Sequence, residues 1–315
     1  MRKICISLLS SVLLCTCLVQ SFADERKFLY LNVENGLRSN SVECVFQDKS
    51  GMMWFGTHDG LSMYDTYSIK TWRHDANDVN SLGNNCVYSI FEDSKGRMWT
   101  GTERGIYIFD RNTEMFAVPD CGFGMKNIHV HSIAEDKRGR IWIASLGDGV
   151  FCIDPETSEA RNWRRSQDGT SGLNSDYSPR ILVDAIGNVW CITSGSYLYR
   201  FDECSSDFTP VPIRDDVKGI TEKNAFSMCL DWEGNIWVAG WDSGIFHYNT
   251  ETGLFTNYLY TSSGPLLKGR VHVMKELEPG HICIGSDHGI SFFEIPGGGN
   301  RNNLLWKLHV WRLVG

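Results

Sequence analysis

The stretch Asp93-Ser-Lys-Gly96-Arg-Met-Trp99 decides the fold of this chain, because the phrase Asp-x-x-Gly-x-x-Trp occurs five times. The other copies run from Asp48 to Trp54, Asp136 to Trp142, Asp184 to Trp190 and Asp231 to Trp237, so the tryptophans recur every 43 to 48 residues. A sixth, degraded copy ends at Cys283 and keeps only its glycine, Gly280. This period is typical of one four-stranded propeller blade. The sequence therefore predicts an all-β propeller of four-stranded antiparallel blades with six recognisable repeats, and leaves a seven-bladed ring open.

Inside each repeat, apolar residues alternate with other residues, as in Val87–Phe91, which indicates short half-buried strands. The aspartate and glycine of the phrase predict a hairpin turn, since Asp accepts hydrogen bonds from the following backbone and Gly adopts a positive φ. We therefore interpret the aspartates as turn residues and not as catalytic groups. The tryptophans are expected to pack between blades. The predicted structural residues are Gly51, Gly96, Gly139, Gly187, Gly234, Trp54, Trp99, Trp142, Trp190 and Trp237.

The two ends of the chain differ from the repeats. Residues 1–23 contain Arg2 and Lys3, an apolar stretch and a small-x-small site at Ser21-Phe22-Ala23, which predicts a signal peptide and a periplasmic product. Cleavage as a lipoprotein before Cys17 is the alternative. The propeller is expected over residues 24–296, with residues 28–33 as the outer strand of its last blade. Residues 297–315 fit no blade and are interpreted as an atypical tail, the product of a truncation or frameshift.

Composition disfavours several classes of function. The chain has 30 Lys and Arg against 38 Asp and Glu, a formal charge of −8, so nucleic acid is not an expected partner. No apolar run after the leader is long enough for a membrane span, so we expect no membrane insertion of the mature chain.

The eight cysteines that follow the leader are scattered and form no CxxC pair, so the sequence allows one disulfide without indicating which cysteines form it. His129-Val-His131 lacks a third ligand at zinc-like spacing, and we expect neither a metal nor a cofactor.

Several phrases together resemble a known family. They are Val33-Glu-Asn-Gly-Leu37, Gln47-Asp-Lys-Ser-Gly51, Trp54-Phe-Gly-Thr57, Asp59-Gly-Leu61 and the run from His74 to Leu82. Over residues 28–295, the chain resembles the two-component regulator propeller repeats in the periplasmic sensor half of Bacteroides-type hybrid two-component systems.

That resemblance implies a sensor in which tandem seven-bladed propellers and an immunoglobulin-like domain precede a membrane helix, a histidine kinase, a receiver and a DNA-binding domain. Many members sense oligosaccharides. Because this chain contains no kinase or DNA-binding motif, the resemblance implies the N-terminal propeller alone, without enzymatic activity of its own.

A ligand is expected on the propeller face that carries the turns between second and third strands and the loops leading into the next blade. These turns differ in their polar residues while the frame repeats. Trp241 is the first candidate for stacking on a sugar ring, and the alternative is that it covers a blade top or meets a second propeller. A homodimer or a second propeller is the expected protein partner. The further ligand-binding candidates are Arg104, His58, Asp148, His288, Asp242, Tyr177 and Arg270.

Two other classes of function stay open at this point. Propeller enzymes, either lyases or quinoprotein dehydrogenases, also repeat tryptophans, but the spacing of Gly139 and Trp142 is one residue shorter than quinoprotein docking phrases. A scaffold that binds only protein is the third class.

Overall fold

The computed structural model describes residues 31–122, 124–166, 172–195, 197–211, 225–241, 244–258, 260–261, 264–265, 269–295 and 308–311. The predicted signal peptide, residues 1–23, lies outside these residues. Within them a single short 3-10 helix, Val33–Asn35, precedes the strands. No helix among them has the length and apolar character needed to cross a membrane.

Six four-stranded antiparallel sheets follow one another in a propeller arrangement, which confirms the predicted fold. The first three blades comprise Val42–Gln47, Met53–Thr57, Gly60–Tyr64 and Ile69–Trp72; Val87–Glu92, Met98–Thr102, Gly105–Asp110 and Met115–Ala117; and Val130–Glu135, Ile141–Ser145, Val150–Asp154 and Glu159–Trp163. The last three comprise Arg180–Val183, Val189–Thr193, Tyr197–Asp202 and Asp207–Pro210; Ala225–Leu230, Ile236–Gly240, Ile245–Asn249 and Leu254–Tyr258; and Val271–Glu278, His281–Ser286, Gly289–Glu294 and Leu308–Trp311. Tyr260–Thr261 pairs with Gly264–Pro265 in a small separate hairpin. The first strand of each blade is the inner one, since these strands pack against each other from blade to blade.

The repeated phrase folds as one hydrogen-bonded unit. In the second blade, Asp93 Oδ1 accepts from the backbone N–H groups of Lys95 and Arg97 at 3.0 and 2.8 Å, while Oδ2 accepts from Trp99 Nε1 at 2.9 Å. The other four copies have the same indole bond, at 2.8 to 3.0 Å. Burial alone would raise the pKa of Asp93, but hydrogen bonds from Trp99 and Arg97 hold it below its ordinary value. The turn prediction is confirmed, and the indole bond explains why Asp and Trp recur together.

Glutamates near the end of three inner strands connect neighbouring blades. Glu92 accepts from the backbone N–H of Lys49 at 2.8 Å, and Glu135 accepts from that of Ser94 at 2.6 Å. Glu276 accepts from the N–H groups of Trp232 and Gly280, at 2.5 and 2.6 Å. The bond to Gly280 explains how the sixth turn folds without the repeated aspartate.

The ring formed by the described residues is open between its sixth and first blades. Val45 on the first inner strand is 55% exposed, whereas the equivalent residues of the other blades are buried. These are Ile90, Ile133, Ile181, Met228 and Met274. On the sixth inner strand, Val273 is also 55% exposed. The exposure of both faces favours a seven-bladed ring over a closed six-bladed one.

We predicted that residues 28–33 form the outer strand of the last blade, and this prediction is wrong for residues 31–33, which the structure describes. Leu308–Trp311 pairs with Gly289–Glu294 and occupies the outer position that we predicted for residues 28–33. Val33 instead begins the 3-10 helix, whose N-cap is Asn32. The four described residues of the predicted tail therefore belong to a blade. A strand with so few repeat features is not recognisable from the repeat phrase, because outer strands vary most.

All eight cysteines after the predicted leader lie within the described residues, and the structure forms no disulfide among them. Cys152 and Cys191 are buried in strands, as expected for small core residues. Burial raises the pKa of the Cys152 thiol to about 12.

Candidate binding site at the channel mouth

Five of the six inner strands contain a β-bulge immediately after their first residue. In these five blades, the pairing between the inner strand and the second strand shifts by one residue at this point. The inner strand of the fourth blade has no such shift and begins at Arg180. A bulge redirects the side chain of the extra residue, and here each lies beside the turn between second and third strands. The channel-mouth ring, as we name it, consists of Glu43, Tyr88, His131, Arg180, Phe226 and His272.

The members of this ring contact one another both between neighbouring blades and across blades that are not neighbours. The ring centroids of Tyr88 and His131 are 5.6 Å apart, and those of His131 and Phe226 are 6.4 Å apart. Arg180 Nη2 donates to the backbone carbonyl of His272 at 3.4 Å. His131 belongs to the third blade and Phe226 to the fifth, while Arg180 and His272 belong to the fourth and sixth. Such contacts require the side chains to converge near the propeller axis.

Burial beside Arg180 keeps the imidazole of His131 neutral. Arg180 Nη1 lies 2.7 Å from His131 Nδ1. The carbonyl oxygen of Pro179 lies 3.0 Å from the same nitrogen. A guanidinium can only donate and a carbonyl oxygen can only accept, so the two contacts require opposite tautomers and the geometry assigns no proton position. Burial, with the charge of Arg180 as the next cause, lowers the pKa of His131 to about 3. The pKa of His129 is also lowered by burial. The centre of the mouth therefore holds neutral imidazoles beside a guanidinium.

We expect the free energy of unfolding to decrease as the pH falls from 6.5 to 4.5. In this range an unfolded histidine takes up a proton, whereas folded His131 does not, so the unfolded state binds more protons and acid favours it. A single histidine contributes a slope of at most about 1.4 kcal/mol per pH unit. His131→Asn, which offers an acceptor to Arg180, should reduce the slope, as measured by urea unfolding at several pH values. His281→Asn, at an exposed site, is the control; equal slopes in both variants would contradict the assignment.

Two histidine–carboxylate pairs flank the opening between the sixth and first blades. His58 Nε2 lies 2.7 Å from Glu43 Oε1, and His272 Nε2 lies 2.6 Å from Asp287 Oδ1. Each pair joins the bulge residue of an inner strand to the first residue of the adjacent turn. In the first blade the bulge residue is the carboxylate, Glu43, whereas in the sixth blade it is the histidine, His272. Hydrogen bonds from the backbone of Arg270 and from His272 lower the pKa of Asp287. Glu43 and Asp287 are therefore both engaged by histidine.

The structure brings together some of the predicted ligand-binding residues and separates others. Trp241 and Arg270 form an isolated antiparallel bridge, which places them opposite each other, and Trp241 is 49% exposed. His58 contacts the ring through Glu43. Asp148 lies 3.6 Å from Arg164 in an ion pair at the face.

Of the remaining candidates, Arg104 and His288 are exposed on their own turns. Tyr177 is exposed too and bridges to Leu146. Asp242 lies outside the described residues. The candidates that surround the channel mouth are thus Trp241, Arg270 and His58.

Sequence reasoning predicted no member of the channel-mouth ring as a ligand-binding residue, because it assigned ligand binding to turns and loops alone. A signal was present: the inner strands begin with Val-x-Ser or a close variant, in Val42-Glu-Cys44, Val87-Tyr-Ser89, Val130-His-Ser132 and Val271-His-Val273. The middle residue changes in chemistry at each copy while its neighbours stay small or apolar. That contrast marks a position whose side chain leaves the strand pattern.

Comparison with known proteins agrees with this architecture. Residues 36–59, 81–104 and 124–147 match the two component regulator propeller repeat, so the chain contains at least three copies of that repeat. No curated protein matches the chain in sequence.

The solved structures that resemble the chain include sensors and enzymes. The extracellular domain of the hybrid two component system BT4673 from B. thetaiotaomicron superposes with a TM-score of 0.70 at 18% identity, covering 91% of this chain and 34% of that one. The corresponding domain of BT3049 gives 0.68 at 18% identity, covering 91% and 37%. Virginiamycin B lyase from Staphylococcus aureus gives 0.64 at 13% identity, covering 87% and 85%. This chain thus spans about a third of the two sensor domains, and these likenesses establish the propeller fold.

Proposed function

We propose that this protein is the ligand-sensing propeller of an exported two-component regulator and that it binds an oligosaccharide at the channel mouth. The proposal is carried by the pairing of Trp241 with Arg270 beside the ring, which combines an exposed indole with a hydrogen-bond donor. A sugar site needs an aromatic surface for the apolar face of the ring and polar groups for the hydroxyls. The regulator repeats and the sensor domains of similar fold support the class of protein.

In this proposal the propeller acts in the periplasm and carries no catalytic activity of its own. A kinase would respond to the bound ligand only in a longer protein, in which ligand binding shifts the population between two arrangements of the sensor. A second propeller or a second copy of the chain is the expected contact for such a shift.

Trp241→Ala should weaken oligosaccharide binding by about 5- to 30-fold, as expected for the loss of 1–2 kcal/mol of stacking. Isothermal titration of the protein lacking residues 1–23 against maltotriose, xylotriose, trigalacturonate and neocarrabiose 4-sulfate measures this effect. Trp232→Ala is the matched control, since Trp232 is 69% exposed but lies in the turn between first and second strands. The same affinity in both variants would exclude Trp241 as a contact, and no binding of any probe would contradict the proposed function.

A propeller lyase is the second candidate function, favoured by the pair formed by His58 and Glu43. A histidine oriented by a carboxylate can remove a proton next to a carbonyl group, and the pair lies exposed at the mouth. Incubation with polygalacturonate, followed at 235 nm for the unsaturated product, tests this reading. Turnover that is lost in His58→Gln would support a lyase, and binding without turnover would support the sensor.

A further inference from the structure

Two arginines at the channel mouth have no carboxylate partner. Within the described part of the chain, neither Arg180 nor Arg270 lies within 4.0 Å of a carboxylate oxygen, although the arginines elsewhere on the blades commonly do. Arginines in such ion pairs are Arg73, Arg97, Arg111, Arg138, Arg140 and Arg164. The other described arginines without such an ion pair are exposed, whereas Arg180 and Arg270 are half-buried. A half-buried guanidinium without a carboxylate partner is therefore a specific feature of this site.

Among the described residues, every hydrogen-bond acceptor of Arg180 is neutral. Its Nη1 donates to the carbonyls of Pro179 and His131 at 3.1 and 3.4 Å, and lies 2.7 Å from Nδ1 of the same histidine. Its Nη2 donates to the carbonyl of His272 at 3.4 Å. These bonds orient the guanidinium but do not neutralise its charge.

Arg270 adds a second positive charge next to an aromatic ring. Its guanidinium carbon lies 3.3 Å from the ring centroid of Phe226, and its buried Nε has no hydrogen-bond partner among the described residues. Burial lowers the pKa of both arginines, whereas the negative charge of Asp287 and that of Glu43 raise the pKa of Arg270, and Glu43 raises that of Arg180. The charge of Arg270 is close enough to lower the pKa of Arg180 further. The two cations are thus held near each other, which costs electrostatic free energy unless an anion joins them.

The carboxylates near these arginines are committed to other groups. Glu43 binds His58 at 2.7 Å. Asp287 binds His272 at 2.6 Å and the backbone N–H of Arg270 at 2.8 Å. Neither carboxylate lies within ion-pair distance of a guanidinium, so the N–H groups of the two guanidiniums have no anionic partner among the described residues and are available to an anionic group of a ligand.

We propose that Arg180 and Arg270 form a subsite for the carboxylate or sulfate group of an acidic sugar, with Trp241 beside it as the stacking surface. Guanidinium groups recognise both anions through paired, charge-assisted hydrogen bonds. This inference rests on the proposed function and specifies the class of oligosaccharide.

The test compares probes that differ only in charge. Trigalacturonate and its methyl ester form the carboxylate arm, and neocarrabiose 4-sulfate and neocarrabiose form the sulfate arm. We expect at least one acidic probe to bind about 10- to 100-fold more tightly than its neutral counterpart, with an affinity that decreases as salt increases. The arm that shows the difference identifies the anion.

Variants locate the effect. Arg180→Met and Arg270→Met should each remove the preference for the acidic probe, and Arg270→Lys should keep part of it because the charge remains. Arg138→Met, at an exposed arginine of the turn between first and second strands that pairs with Glu203, is the control. Thermal unfolding without ligand shows whether each variant is folded. If Arg180→Met does not fold, the salt dependence in the unmodified protein and the Arg270 variants still decide the question.

The outcomes separate this inference from the proposed function. Equal binding of acidic and neutral probes would overturn the acidic subsite and leave oligosaccharide sensing intact. Binding that prefers the acidic probes but persists in both methionine variants would place the anion elsewhere and overturn the subsite. No binding of any probe would overturn both.

Discussion

Trp142→Ala should lower the free energy of unfolding by about 3–5 kcal/mol, in the range of other deletions of buried aromatic residues. The indole is completely buried between the third and fourth blades. It stacks on Trp163 with ring centroids 5.4 Å apart and meets Phe201 edge-on at 4.8 Å. Its loss would leave a cavity and would remove the indole N–H that donates a hydrogen bond to Asp136 Oδ2 at 2.8 Å.

Chemical denaturation of the variant measures this effect, with Trp232→Ala as the matched control. Trp232 is 69% exposed, so its truncation should change the free energy of unfolding by no more than about 0.5 kcal/mol. A similar loss in both variants would contradict the packing role that we assign to the repeated tryptophans.

Gly149→Ala should be more destabilising than Gly139→Ala by about 2–4 kcal/mol. Both glycines belong to the third blade and have φ of +77°, so both substitutions carry the same backbone strain of about 1 kcal/mol. A Cβ at position 139 would meet only the Glu135 carboxylate, at 3.8 Å. At position 149 it would lie 2.0 Å from the backbone oxygen of Trp163, which cannot move without disturbing the outer strand.

Thermal and urea unfolding of the two variants measure this difference directly. Since Trp163 stacks on Trp142, a displaced outer strand should also change the near-ultraviolet circular dichroism of Gly149→Ala. Equal losses of stability would mean that the outer strand adapts to the added methyl group, and the close approach at Gly149 would then have no energetic consequence.

The repeat phrase made the blades predictable because one residue pattern solves one local problem in each copy. Asp136 organises the turn, Gly139 takes the positive φ, and Trp142 fills the space between blades. The closing strand was predicted wrongly, since an outer strand carries no part of the phrase.

The candidate site was predictable only in part, for a physical reason. Trp241 and Arg270 lie on loops and stand out as polar or aromatic residues that the frame does not need. Arg180 and Phe226 lie on strands 46 residues apart, so their convergence depends on how the blades curve around the axis. The unpaired state of Arg180 depends on which carboxylates reach it, and spacing in the sequence does not encode that distance.

The crystal structure of the protein with the best-binding acidic trisaccharide or disaccharide would test the central claim most directly. The account predicts that the anionic group lies within hydrogen-bond distance of the guanidinium groups of Arg180 and Arg270 and that a sugar ring stacks on Trp241. Ligand density on the opposite face, or only between the sixth and first blades, would contradict it.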